Sequence, residues 1–246
     1  MVRGIYIAAS GMLTESMRQD VIANNLANAN TTGFKRSQVV ASEFDSLLLR
    51  NLGVPGAPAI GELQYGSQVE DIVVIDQQGK LKATDNPLDL ALSGPGYFAV
   101  DTPEGRRYTR DGSFQVDEQG RLVTKEGHVV AGQNGAITIG PGGNVDIGVA
   151  EDGTVSQGQR ILGRITVTNL DPASLAKQGD SLVDGTIQAG ETGGVRQGFL
   201  EASTVNVVSE MVELIRVMRS FEASQRAVRA HDEALTQSAT QVASVG

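Results

Sequence analysis

From Val207 onward the apolar residues return at alternating steps of four and three. They are Val207, Met211, Leu214, Met218, Phe221, then Val228, Leu235, Ala239 and Val242, with Gln225 and Asp232 breaking the series. No Gly or Pro falls between Val205 and Val245, so this heptad pattern predicts one long helix with a narrow apolar seam. Asn206 is placed to cap it, and Glu210 lies in the first turn, where negative charge suits the helix dipole. At about 1.5 Å per residue the helix would run roughly 50 Å, more than a small domain needs to cover its own core. The expectation is a coiled-coil contact with a partner helix rather than an ordinary amphipathic helix on a globular body.

Residues 4 to 28 carry a second, weaker pattern at the same spacing: Ile5, Ala9, Met12, Ser16, Gln19, Ala23 and Leu26. Its small residues allow close backbone approach, and Leu13 and Ile22 widen the apolar face beyond one seam. Such a helix needs more than one partner to cover it. The run Asn24, Asn25, Asn28, Asn30, Thr31, Thr32 and Gly33 ends it, since Asn and Gly tolerate the left-handed conformation of a helix stop.

Between the helices the period changes. Phe34 to Leu52 has mixed helical character, Gly53 to Gly61 is rich in Pro and Gly, and Val69 to Ile75 reads as a strand. From Gly79 to about Gly198 short apolar runs alternate with turn signals such as Asp85-Asn86-Pro87, Ser93-Gly94-Pro95-Gly96 and Thr102-Pro103-Glu104-Gly105. Turns every 8 to 12 residues or so, with no helical period, predict an all-β barrel or sandwich. The expected fold class is α+β. Long N- and C-terminal helices (1–35 with 200–246) form a coiled-coil assembly domain, 36–78 is a linker, and 79–199 is a central all-β domain.

Composition narrows the function. Thirty glycines, with four Tyr, six Phe and no Trp, indicate many turns and thin cores. Twenty-nine acidic against twenty basic side chains give a net charge of -9, which argues against nucleic acid as the main partner. With no cysteine, disulfides, thiol nucleophiles and Cys-ligated metals are excluded. No apolar run approaches the ~18 residues of a membrane span. The run Ile5 to Ala9 is too short for a signal-peptide core.

The sequence offers no pattern of catalytic or metal-binding residues. His128 lies at a turn and His231 on the C-terminal helix, with no spacing that suits a metal. Gly140-Pro141-Gly142-Gly143 lacks the Lys-Ser/Thr of a phosphate loop and reads as a β turn. Ser93 does not sit in a nucleophile elbow. Asp101, Asp111, Asp117 and Glu118 lack the spacing of a calcium loop and read as solvated turns. Arg106, Arg107 and Arg110 read as their surface partners. The expectation is a protein without catalysis, metal or cofactor.

Both chain ends carry a longer signature. Ser10-Gly11-Met12 and the stretch from Asp20-Val21-Ile22-Ala23-Asn24-Asn25 to Thr31-Thr32-Gly33-Phe34-Lys35-Arg36 resemble the N-terminal motif of bacterial flagellar rod and hook proteins. The stretch Leu200-Glu201-Ala202-Ser203-Thr204-Val205-Asn206, with Glu210-Met211-Val212 and Arg219-Ser220-Phe221-Glu222, resembles their C-terminal motif. Gly96-Tyr97-Phe98-Ala99-Val100 and Tyr108-Thr109-Arg110-Asp111-Gly112-Ser113-Phe114 are similar to the β domain of the rod members.

The resemblance implies an axial subunit whose terminal helices form the inner tube of the rod. It also implies export through the flagellar type III apparatus without a cleaved signal, and partners among its own copies and other rod and hook axial proteins. Within the family, the modest length points to the proximal-rod type FlgF, with the distal-rod type FlgG or a hook-type subunit as the alternative. The expected assembly interface is Ile5, Met12, Leu26, Val207, Met211, Leu214, Met218, Phe221, Val228, Leu235 and Val242. The ends are expected to order on joining the rod, and Phe221→Asp to block assembly. A free-standing coiled-coil adaptor is the competing class. It predicts helices that stay folded in a dilute dimer.

Overall fold

Tyr97-Phe98-Ala99-Val100 is apolar at every position, which suits a strand covered on both faces. The computed structural model describes residues 2–43, 47–50, 59–63, 66–140, 147–179 and 181–245, and this strand lies within its largest sheet. Side chains alternate between faces along a strand. Phe98 and Val100 therefore enter one apolar cluster with Leu90, Leu92 and Ile137, while Tyr97 and Ala99 enter a second with Tyr108, Leu170 and Val183. Phe98 and Phe114 meet edge to face, with ring centroids 5.2 Å apart.

The chain divides into two compact units, one of residues 1–26, 37–72 and 207–246, the other of residues 27–36 and 73–206. The first holds helix α1 (Val2–Ala27), strands β1 (Ser37–Glu43), β2 (Leu47–Arg50), β3 (Ala59–Leu63) and β4 (Ser67–Val74), and helix α2 (Val207–Val245), the last residues of α1 and β4 counting with the second. β1 pairs with β4, and β2 with β3.

The second unit begins with β5 (Leu81–Ala83), β6 (Leu90–Ser93), β7 (Tyr97–Thr102), β8 (Gly105–Thr109), β9 (Gln115–Val116), β10 (Leu122–Val123), β11 (Val129–Gly132) and β12 (Gly135–Ala136). It continues with β13 (Ile147–Val149), β14 (Thr154–Gln157), β15 (Arg160–Arg164), β16 (Val167–Thr168), β17 (Ala176–Gln178), β18 (Leu182–Asp184), β19 (Gly194–Gln197) and β20 (Phe199–Glu201). The main sheet runs β17-β18-β8-β7-β11-β10-β9, with β12 on β11 and β16 on β7. Its β7–β8 hairpin turns at Pro103-Glu104, between the paired Thr102 and Gly105, as the turn signal predicts. Smaller sheets are β13-β14-β15, β19-β6 and β20-β5.

The described residues of the Phe34 to Leu52 stretch are not helical. They hold β1 and β2, and the period of two shows in Ser37 and Val39 buried against Gln38 and Val40 exposed. Of the Pro/Gly-rich stretch Gly53 to Gly61, residues 53–58 lie outside the described residues and 59–61 open β3; of the turn expected at Gly140-Pro141-Gly142-Gly143, residues 141–143 also lie outside them.

The expected coiled coil is also absent. Both helices form close to the expected bounds, yet no long coiled-coil pair is present among the described residues. α1 and α2 meet antiparallel through small and polar groups instead of large apolar knobs. A side chain on Gly4 would collide with the His231 imidazole, Gly11 faces Ser224, and Asn25 Nδ2 donates to Glu210 Oε2 over 3.2 Å. Met211 and Met218 are 49% and 44% exposed, whereas Glu210 and Val217, one position earlier, are buried. The covered line of α2 is Glu210, Leu214, Val217, Phe221, Ser224, Val228, His231 and Leu235. It keeps every second member of the expected seam and shifts the others by one residue. Gln225 and Asp232, the breaks in the expected series, fall on that shifted leg.

Candidate assembly surface

Within the first unit, polar side chains decide which helix faces stay outward. Asn25, fully buried, donates from Nδ2 to the Ser37 carbonyl at 2.8 Å and accepts from the Ser37 N–H at 3.0 Å. Its other bond takes Glu210 into the interior, so Glu210 does more than sit near a helix dipole. Further along α1, buried Thr14 shares a 2.9 Å hydrogen bond with the Ser67 hydroxyl at the start of β4. Gly66 approaches Ser10 so closely that a side chain there would overlap it. These bonds attach β1 and β4 to α1 and leave the remaining sides of both helices open.

The open sides are apolar. On α2 they carry Val208, Met211, Val212, Ile215 and Met218; on α1, Tyr6, Ile7, Leu13 and Met17. An open groove of about 560 Å³ runs between α1 and β4, lined by Leu13, Met17, Val69 and Ile72, with Glu70 and Asp71 among its walls. Contiguous exposed apolar surface of this kind marks a contact site.

Among the expected interface residues, Val207, Met211 and Met218 are exposed. Ile5, Met12, Leu26, Leu214, Phe221, Val228 and Leu235 are half-buried within the unit. The Val242 side chain lies outside the described residues. Sequence reasoning missed Val208, Val212 and Ile215. Their signal was readable: with Met211 they recur at i, i+3, i+4 and i+7, a second apolar stripe beside the first.

The second unit contains a buried ionic cluster that draws Lys35 and Glu201 from the two end motifs and Arg110 from the Tyr108–Phe114 stretch. Lys35 Nζ donates to Glu201 Oε1 at 2.7 Å, and Arg110 NH1 donates to Glu201 Oε2 at 3.2 Å. The Gly79 N–H adds a third bond to Glu201 at 2.7 Å, and Lys35 also reaches the Gln77 carbonyl. Asp76 lies 3.8 Å from Lys35 and accepts from the Tyr97 hydroxyl. Burial, reinforced by the Arg110 charge, holds the Lys35 ammonium below its ordinary pKa, against the pull of Glu201. Burial first, and then the Asp76 charge, push the Tyr97 hydroxyl up.

Backbone bonds run beside this cluster, from Gly33 N–H to the Glu201 carbonyl at 2.8 Å and from Thr204 N–H to the Phe34 carbonyl at 3.1 Å. The arrangement binds residues 33–36 to residues 201–204. Its charges neutralise one another, and its bonds make it a clamp between those two segments. Arg110, expected at the surface, belongs to it, whereas Arg106 does pair on the surface with Asp101. Asp111 and Asp117 are engaged in turns and side-chain bonds, Asp111 with Ser113 and Thr32, Asp117 with Arg121.

Known proteins match along nearly the whole chain. Residues 5–35 fit the family described as flagella basal body rod protein, and residues 196–242 the C-terminal region of flagellar basal body rod FlgEFG proteins. Residues 91–169 fit the D1 domain of flagellar hook protein FlgE/F/G. The flagellar basal-body rod protein FlgG of Bacillus subtilis is 36% identical over 260 residues, covering 96% of this chain and 97% of that protein. FlgG of Caulobacter vibrioides is 34% identical, with 95% and 97% covered. FlgF of the same bacterium is 37% identical, with 90% of each chain covered. Identity does not separate the two types, so the likeness is to FlgF and FlgG together.

Proposed function

The chain belongs to the flagellar basal-body rod protein family, a structural subunit of FlgF/FlgG type, and from that premise we propose that it enters the rod by burying the open faces of α1 and α2 against neighbouring axial subunits. The observation that carries this reading is the stripe Val208, Met211, Val212, Ile215 and Met218, left in water along one side of α2 in a chain that has its own buried core. Full burial of one large apolar side chain contributes ~1.5 to 3 kcal/mol, and about half of each is still available. Five of them are then of the same order as the ~4 to 15 kcal/mol that association costs. One face alone gives a weak contact, and several faces together give a stable one, which favours growth at an existing rod end.

The neighbours in this reading are copies of the chain and other rod and hook axial proteins. Ile5, Met12, Leu26, Leu214, Phe221, Val228, Leu235 and Val242 contribute whatever surface the free subunit leaves uncovered. The role is structural, without catalysis, and delivery is through the flagellar type III export apparatus. No helix among the described residues is long and apolar enough to cross a membrane.

Met211→Asp with Ile215→Asp tests the reading, since both sites are exposed and the isolated chain should keep its stability to within about 0.5 kcal/mol. In cells lacking the native chain, the variant is expected to be made and exported but to leave no completed rods and no motility. Normal rods would overturn the reading. Phe221→Asp is a poorer probe, because Phe221 is partly covered inside its own unit.

A further inference from the structure

Resting on the assembly reading above, we infer that the groove between α1 and β4 receives the apolar stripe of α2 from a second copy of this chain. The groove offers Leu13, Met17 and Ile72 to an apolar occupant. Glu70 and Asp71 line it, no basic residue does, and neither carboxylate is in an ion pair among the described residues. The α2 stripe brings the opposite charge. Arg216 lies one turn beyond Val212 and Arg219 one turn beyond Ile215, so both flank the apolar side chains. Arg216 is 74% exposed and, among the described residues, pairs with Glu213 on its own helix at 3.4 Å.

The stripe cannot fill the groove of its own chain. Glu210 bonds Asn25 and Ser224 faces Gly11 on one side of α2, whereas Val208, Met211 and Ile215 lie about half a turn round the helix. A groove on one copy meeting a different surface on the next is a heterologous contact. Contacts of that kind generate rings where the rotation closes and open helical arrays where it does not, and in neither case a two-fold dimer. The inferred pairing therefore runs on from subunit to subunit.

Charge reversal tests it in cells lacking the native chain. Glu70→Arg with Asp71→Arg is expected to cut rod formation at least about tenfold, and Arg216→Glu with Arg219→Glu to do the same. All four changes in one chain restore rods, because every groove again meets an opposite charge. Failure of the four-charge chain to restore rods, or rods unaffected by the groove reversal while Met211→Asp with Ile215→Asp still blocks them, overturns the groove pairing and leaves the assembly reading standing. Normal rods from every one of these variants would overturn both. Should the reversed chains misfold, Leu13→Cys and Ile215→Cys on separate copies provide a second test in a chain without cysteine. Oxidation must then link copies in isolated rods, and no link means no such pairing.

Discussion

Glu201→Ala is expected to destabilise the β-rich unit by about 3 to 5 kcal/mol, read as a fall in the denaturant midpoint. The change removes the one carboxylate that both Lys35 and Arg110 reach, and it deprives the Gly79 N–H of its acceptor. Lys35 can relieve part of the cost by releasing its proton, a direction in which its buried site already pushes it. Arg110 has no such exit, and it is buried with its remaining bond to the Gly94 carbonyl. Against a total stability of about 5 to 15 kcal/mol, the loss is a large fraction. Glu201→Leu combined with Arg110→Met should be milder than Glu201→Ala alone, since the cation that cannot shed its charge then leaves with the carboxylate and Lys35 keeps Asp76. A stability within about 1 kcal/mol of the native chain for Glu201→Ala, taken from the midpoint and slope, would show that the cluster does not hold this unit together.

Gly33→Ala is expected to cost about 3 kcal/mol, or about 6 to 12 °C in Tm. Gly33 adopts a φ of +68°, and a left-handed residue with a side chain already costs about 1 to 2 kcal/mol. The new methyl also meets backbone, overlapping the Arg110 carbonyl group and the Asp111 amide, neither of which can swing aside. Relief would require Gly33 to move, which breaks its N–H bond to the Glu201 carbonyl. Gly127 supplies the control: its φ is +87° and nothing lies within 4 Å of the position a side chain would take. Gly127→Ala should show the conformational cost alone. Equal losses at the two positions would contradict the overlap argument.

The helices and the β7–β8 hairpin were legible because their signals are local: heptad spacing, uninterrupted by Gly or Pro in α2, and a turn signal between apolar runs. β19 and β20 were not. Gly194-Val195-Arg196-Gln197 and Phe199-Leu200-Glu201 have no clear alternation, and they pair with β6 and β5 about a hundred residues earlier. Such pairing depends on tertiary contacts that a local pattern does not contain.

The buried cluster was hidden for a related reason. Lys35, Arg110 and Glu201 come from three distant segments, and each read singly looks like a surface charge. The one-residue slip of the seam has a different cause. Hydrophobicity alone sends Met211 and Met218 inward, but the covered line contains Glu210, Ser224 and His231, because Asn25 and the glycines of α1 accept small and polar neighbours. In a subunit that assembles with other axial proteins, the largest apolar side chains need not face its own interior.

Thiol labelling of Met211→Cys tests the central claim most directly, because the native chain has no cysteine to interfere. The account predicts rapid labelling of the free, exported chain and strong protection of the same residue in completed rods. Equal labelling in both states would mean that the open face of α2 stays in water, and that the rod is held together by other surfaces.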